Sequence, residues 1–181
     1  MGSHEVGYLI GAMVGLVVGL LAAVMFLKFI KKDHSWKCKY DERQELVRGR
    51  GFKYGFFTML AYQWGYIVYG EFLEKIAIRE VVMTFGIVLG LVVYVSYAVL
   101  NEGYFSLNEN PRRVVILFAI IAAGNLLIGL AQIPLGRFFV NGVISFPAVN
   151  VMLGLMMLFV LILLFVKRFC KKESEEGQED E

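Results

Sequence analysis

Ala148-Val-Asn-Val-Met-Leu-Gly-Leu-Met-Met-Leu-Phe-Val-Leu-Ile-Leu-Leu-Phe-Val166 contains no charged residue, and Lys167 and Arg168 follow it at once. A helix of about 20 residues crosses the roughly 30 Å hydrocarbon layer of a bilayer, where every backbone amide and carbonyl must find its partner within the segment. Four other stretches have the same character: Val6 to Phe29, Tyr54 to Gly70, Val81 to Leu100 and Val114 to Ile133. Of the 181 residues 58% are hydrophobic, above the roughly 45 to 50% of soluble domains. The expected fold is an all-α integral membrane protein. A single domain over residues 1–170 forms a bundle of five transmembrane helices, and residues 171–181 form an acidic tail.

The formal net charge of +2 acquires meaning once it is mapped onto the connections. The segments after the first span, between the third and fourth, and after the fifth hold 15 of the 18 basic residues. Only Lys75, Arg79 and Arg137 fall on the other side. The positive-inside rule then puts the N-terminus outside and the C-terminus in the cytoplasm. The second span is short and interrupted by Gln63 and Gly65, but leaving it out would put basic segments on both sides of the membrane. A cleaved signal peptide is the competing account of the first span. Its leader lacks a basic residue and its apolar run is too long for a signal core.

Local signals sharpen the boundaries. Asp41 followed three residues later by Gln44 makes a capping-box pair, so a short helix should begin at Glu42, and Gly49 and Gly51 should let the chain bend into the second span. Gly103 is expected to cap the third span, and Asn110-Pro111 to start the fourth. Asn141-Gly142 between β-prone residues predicts a short outer β-hairpin over Arg137 to Phe146, with Phe138, Phe139 and Phe146 entering the interface. From Lys171 onward no apolar stretch is left to bury, which predicts disorder.

Gly7, Gly11, Gly15 and Gly19 recur every fourth position, and Ala23 extends the row. Between helices in lipid, association depends on close packing, and small residues at this spacing let two backbones approach. Gly86 and Gly90 on the third span and Ala119 and Ala123 on the fourth offer shorter versions. The long face packs either within the chain or against another copy. Gln63 and Asn125 lie near mid-depth, and Tyr54, Thr58, Tyr62 and Tyr66 follow one stripe. Tyr62, Gln63, Tyr66 and Asn125 are the candidates for a polar path; hydrogen-bonded helix packing is the alternative.

No Asp, Glu, Lys, Arg or His sits at the centre of a span, which argues against proton-coupled transport. Nucleophile-elbow, zinc-helix and P-loop motifs are missing from the sequence, so no catalytic residue is assigned and the chain is read as a non-enzyme. Glu71 and Glu74, one turn apart, read as an ion-pair face with Lys75 and Arg79 rather than an acid–base pair. Cys38 and Cys170 both fall on the cytoplasmic side, where thiols stay reduced. His34 and Cys38 alone do not make a metal site, and no cofactor is expected.

The hydrophilic segment Lys37 to Lys53 is the most distinctive. Asp41, Glu42, Arg43, Gln44, Arg48, Arg50 and Lys53 are its candidate contacts with lipid or a protein partner, and Lys31, Lys32, Lys37 and Lys39 add charge for anionic headgroups. Nucleic acid is not expected as a partner. Asp41-Glu42-Arg43-Gln44 before a span resembles the Asp-Glu-Arg-Gln signature of small uncharacterised bacterial multi-pass membrane proteins with a domain of unknown function. The resemblance implies the bacterial cytoplasmic membrane and no catalytic residues. The expected role is a packing, accessory or regulatory partner in a membrane assembly; the alternative is a small transporter or channel subunit that works as an oligomer.

Overall fold

The computed structural model describes residues 3–32 and 38–179; the side chains of 3–6, 8–12, 16, 22–23, 26–27 and 170–179 lie outside the description. Five helices occur among the described residues: α1 (Ser3–Ile30), α2 (Glu42–Leu73), α3 (Arg79–Leu100), α4 (Pro111–Leu130) and α5 (Pro147–Glu179). Two short strands, β1 (Phe139–Val140) and β2 (Val143–Ile144), pair antiparallel between α4 and α5. The chain is thus mostly helical. Three of its helices are long and apolar enough to cross a membrane: Arg79–Leu100, Pro111–Leu130 and Pro147–Phe169.

Glycine sets the closest helix contacts. α2 runs along α3, and a Cβ on Gly55 would lie 2.6 Å from the carbonyl oxygen of Gly90, while one on Gly90 would lie 2.8 Å from that of Gly55. The two backbones therefore touch. One turn earlier, Gly51 faces the rings of Tyr94 and Tyr97; further along, the ring of Tyr62 lies on Gly86. Gly86 and Gly90 are thus packing positions, as their spacing implies, and Gly51 and Gly55 supply the opposing half. α4 and α5 repeat the device, with Gly129 against Val151 and Gly154 against Leu126.

Several expectations need correction. α2 is one helix that runs through Gly49 and Gly51 rather than a short helix followed by a separate span, and Gly51 is occupied in the contact with α3. Ala119 and Ala123 are exposed; Ala122 takes the buried place on α4, at 1% exposure. Gly103 does not hold the left-handed position after α3. Glu102 does, at φ 59°, and Gly103 is needed because a Cβ there would meet Val47 Cγ1 at 2.6 Å.

The hairpin forms as its sequence predicts. Asn141 and Gly142 both take positive φ, 53° and 78°, in a two-residue turn whose twist matches the strands. Ile144 then bonds to the α2–α3 connection: its N–H donates to Ile76 O at 2.9 Å, and its carbonyl accepts from Ile78 N–H at 2.9 Å. Beneath it, Ala77, Val81, Val82 and Ala148 form a small core with Tyr62, Tyr66 and Phe138.

α1 is attached differently. Its described contacts gather at its C-terminal end: Ile30 O accepts from Asn110 N–H at 2.8 Å, and Phe29 O from Arg113 Nη1 at 2.9 Å. Along its length Met13, Val17, Val18, Leu20, Leu21 and Met25 are exposed. The whole chain presents 12770 Å² of accessible surface, against roughly 9000 Å² for a compact soluble monomer of its 20.5 kDa mass.

Candidate functional site

The end of the fold that gathers the basic connections is built from backbone groups. Lys32 N–H donates to Asn108 O at 2.8 Å, and Leu107 N–H to Lys39 O at 2.8 Å, so the α1–α2 and α3–α4 connections lie side by side. Asn108 is buried, its Oδ1 accepting from Ser106 Oγ at 2.7 Å and Lys39 N–H at 3.2 Å. Lys31 is buried to 1% exposure at this junction, which removes it from the cations open to headgroups. Lys37 lies outside the described residues.

Asp41 to Gln44 act here as structure. The Asp41 carboxylate accepts from Gln44 N–H at 2.6 Å, and Gln44 Oε1 accepts from Asp41 N–H at 3.3 Å, closing the predicted capping box. The other end of the buried Gln44 amide donates to Phe105 O at 3.1 Å and Glu102 O at 3.4 Å. Arg43 reaches Asn101 O and pairs with Glu102 at 3.5 Å. The four letters start α2 and fasten it to the α3–α4 connection. Arg48 stacks on Tyr40, 4.0 Å from the ring centroid, while Glu42, Arg50 and Lys53 line only a shallow groove on α2.

Beside this junction opens a cleft of about 1230 Å³. Lys32, Arg43, Arg112, Lys167 and Arg168 line its rim, with Glu102 among them. Val99, Val115, Ile116 and Leu164 line its apolar part. α3 ends here in a Schellman turn: Gly103 N–H bonds to Ala98 O at 2.8 Å and Glu102 N–H to Val99 O at 3.2 Å. α4 starts here because Asn110 Oδ1 accepts from Arg112 N–H at 3.1 Å and Pro111 opens the first turn. Lys167 bridges across from α5, donating to Leu100 O at 3.0 Å and pairing with Glu102 at 3.7 Å. Burial pushes the Tyr104 phenol well above its ordinary value, so it lines the cleft as a neutral group.

The four candidates for a polar path do not all come together: Tyr62 and Tyr66 share one core, and Asn125 lies on another helix pair. Tyr62 donates to Val82 O at 2.8 Å, Thr58 to Tyr54 O and Asn125 to Ile121 O, each at 2.9 Å. Tyr66 shares the Ala77–Val81–Val82–Ala148 core with Tyr62, and its hydroxyl donates to Glu74, which also pairs with Arg79 at 2.9 Å. The Arg79 bond, with Tyr66 second, holds the Glu74 carboxyl below its usual range. Gln63 is half-buried on α2, a helix packed chiefly on α3, whereas Asn125 belongs to α4, packed chiefly on α5.

Among the described residues the glycine face of α1 has no neighbour: a Cβ on Gly7, Gly15 or Gly19 would have nothing within 4 Å. Gly11 and Ala23 lie outside the described side chains. In sequence reasoning the cations of the cleft were separate counts in three connections. Only Lys32 among them stood out beforehand with Arg43, and Glu102, Arg112, Lys167 and Arg168 were missed because what joins them is tertiary.

Fold and cleft together define a mostly helical protein with membrane-length apolar helices, a small hairpin at one end and a cation-rimmed cleft at the other. No family, curated protein or solved structure matches this chain.

Proposed function

We propose that the chain is a five-span integral membrane protein without catalysis of its own, serving as an accessory or regulatory subunit that holds a partner helix against α1. The observation carrying this is the small-residue face of α1, where Gly7, Gly15 and Gly19 meet no neighbour among the described residues although such faces exist to bring backbones together. α1 extends about 42 Å over its 28 residues, enough to span. In α2 the charged first three turns lie outside the hydrocarbon, and the part from Tyr54 to Leu73 is about 30 Å long. With these two, the basic connections gather on one side, which supports a cytoplasmic C-terminus and an outer N-terminus. The bacterial cytoplasmic membrane is the location implied by the Asp41–Gln44 resemblance.

A photo-crosslinking residue placed singly at Gly15 or Gly19 and irradiated in native membranes tests the role. A heterologous adduct identified by mass spectrometry is the expected result. A self-adduct alone would replace the accessory role with the oligomeric one, and no adduct at either position would overturn the use of this face.

A further inference from the structure

We infer that the cleft between the end of α3, the start of α4 and the Leu164–Arg168 segment of α5 binds one anionic phospholipid drawn from the surrounding bilayer. The inference rests on the membrane reading proposed above. Five cations on the rim face a single carboxylate, so the cleft has an excess of positive charge. Lys32, Arg112 and Arg168 are exposed and have no ion-pair partner among the described residues. The other two, Arg43 and Lys167, share Glu102 at 3.5 and 3.7 Å. Ion pairs as exposed as these are weak, and a phosphate with more charge and more acceptor oxygens can displace the carboxylate.

The apolar side selects a lipid over a soluble phosphate compound. Val115 and Ile116, 38% and 57% exposed, continue from the rim along α4, and Leu164 faces them from α5. A headgroup on the cations would place its acyl chain along these residues. A free phosphate would leave them uncovered.

Glu102 adds a second, independent feature. It adopts φ 59°, a left-handed conformation that side-chain-bearing residues rarely take and that a glycine would take without strain. The turn itself gains nothing from a glutamate. What the residue provides is a carboxylate between Arg43 and Lys167, an internal counter-charge that keeps the two cations in place while the cleft is empty and yields when a phosphate enters.

The test uses the full-length protein in nanodiscs containing equal amounts of phosphatidylglycerol and phosphatidylcholine, with retained lipid counted by native mass spectrometry. Wild type should keep one phosphatidylglycerol. Arg112→Gln with Arg168→Gln should lower that retention about thirty-fold, the effect of two lost interfacial cations. Lys75→Gln with Arg137→Gln removes the same charge from exposed residues outside the cleft and should leave retention unchanged. Glu102→Gln should raise it several-fold, a change opposite to that of a merely structural loss. Equal retention of the two lipids, equal loss in the two double variants, or unchanged retention in Glu102→Gln would each overturn the proposal. Displacement by excess inorganic phosphate would point to a soluble ligand and overturn the choice of lipid. Release of the protein by alkaline carbonate would overturn the membrane reading itself, whereas firm insertion without lipid selectivity would overturn the lipid site alone.

Discussion

At the scale of single residues, the glycines divide into two populations that their spacing cannot distinguish. Gly55 and Gly90 touch each other's carbonyl oxygens, so a methyl group on either forces two backbones apart. Gly90→Ala should therefore destabilise the protein by about 1 to 3 kcal/mol, the usual cost of overpacking, measured by thermal unfolding in detergent. Gly15→Ala meets open space and should leave the melting temperature unchanged or slightly raised while weakening adduct formation through α1. An equal loss of stability in both would show that α1 packs within the chain. The row Gly51-Phe-Lys-Tyr-Gly55 carries the same small-residue spacing as α1. The sequence reading assigns Gly51 to a bend into the second span, whereas its place against Tyr94 and Tyr97 is tertiary.

Among the elements, those whose limits depend on neighbours in sequence were the legible ones. The capping box at Asp41, the Asn110-Pro111 start of α4 and the Asn141-Gly142 turn each close within four residues, so the pattern carries the geometry. The length of α2 was not legible, because whether Gly51 bends a helix or stacks against another depends on Tyr94 and Tyr97, more than forty residues away. Asp41→Ala should cost about 1 to 2 kcal/mol through the lost cap. Gln44→Ala removes the other half of the same box and should add less than its own separate cost when combined with it. Strict additivity in a double-mutant thermal-unfolding cycle would contradict the coupling.

For the whole molecule, the alternation of ends was visible in the charge counts, but the cleft was not. Lys32, Glu102 and Lys167 lie about 65 to 70 residues apart in sequence, and only the side-by-side connections and the α3–α5 contact bring them to one rim. The proposed orientation predicts that, in intact cells, a membrane-impermeant maleimide labels Asn141→Cys in a background lacking native cysteines, and leaves the exposed Cys38 of the native protein unlabelled until the membrane is opened. The reverse pattern would invert the topology.

The attachment of α1 also bears on how the protein is made. The groups that hold Phe29 and Ile30 belong to Arg113 and Asn110, the former 84 residues downstream. A ribosome completes α1 long before it reaches them. On the proposed membrane reading, the first helix is an independent segment at that stage with its glycine row already open, and assembly with the proposed partner can begin before the chain that carries it has been finished.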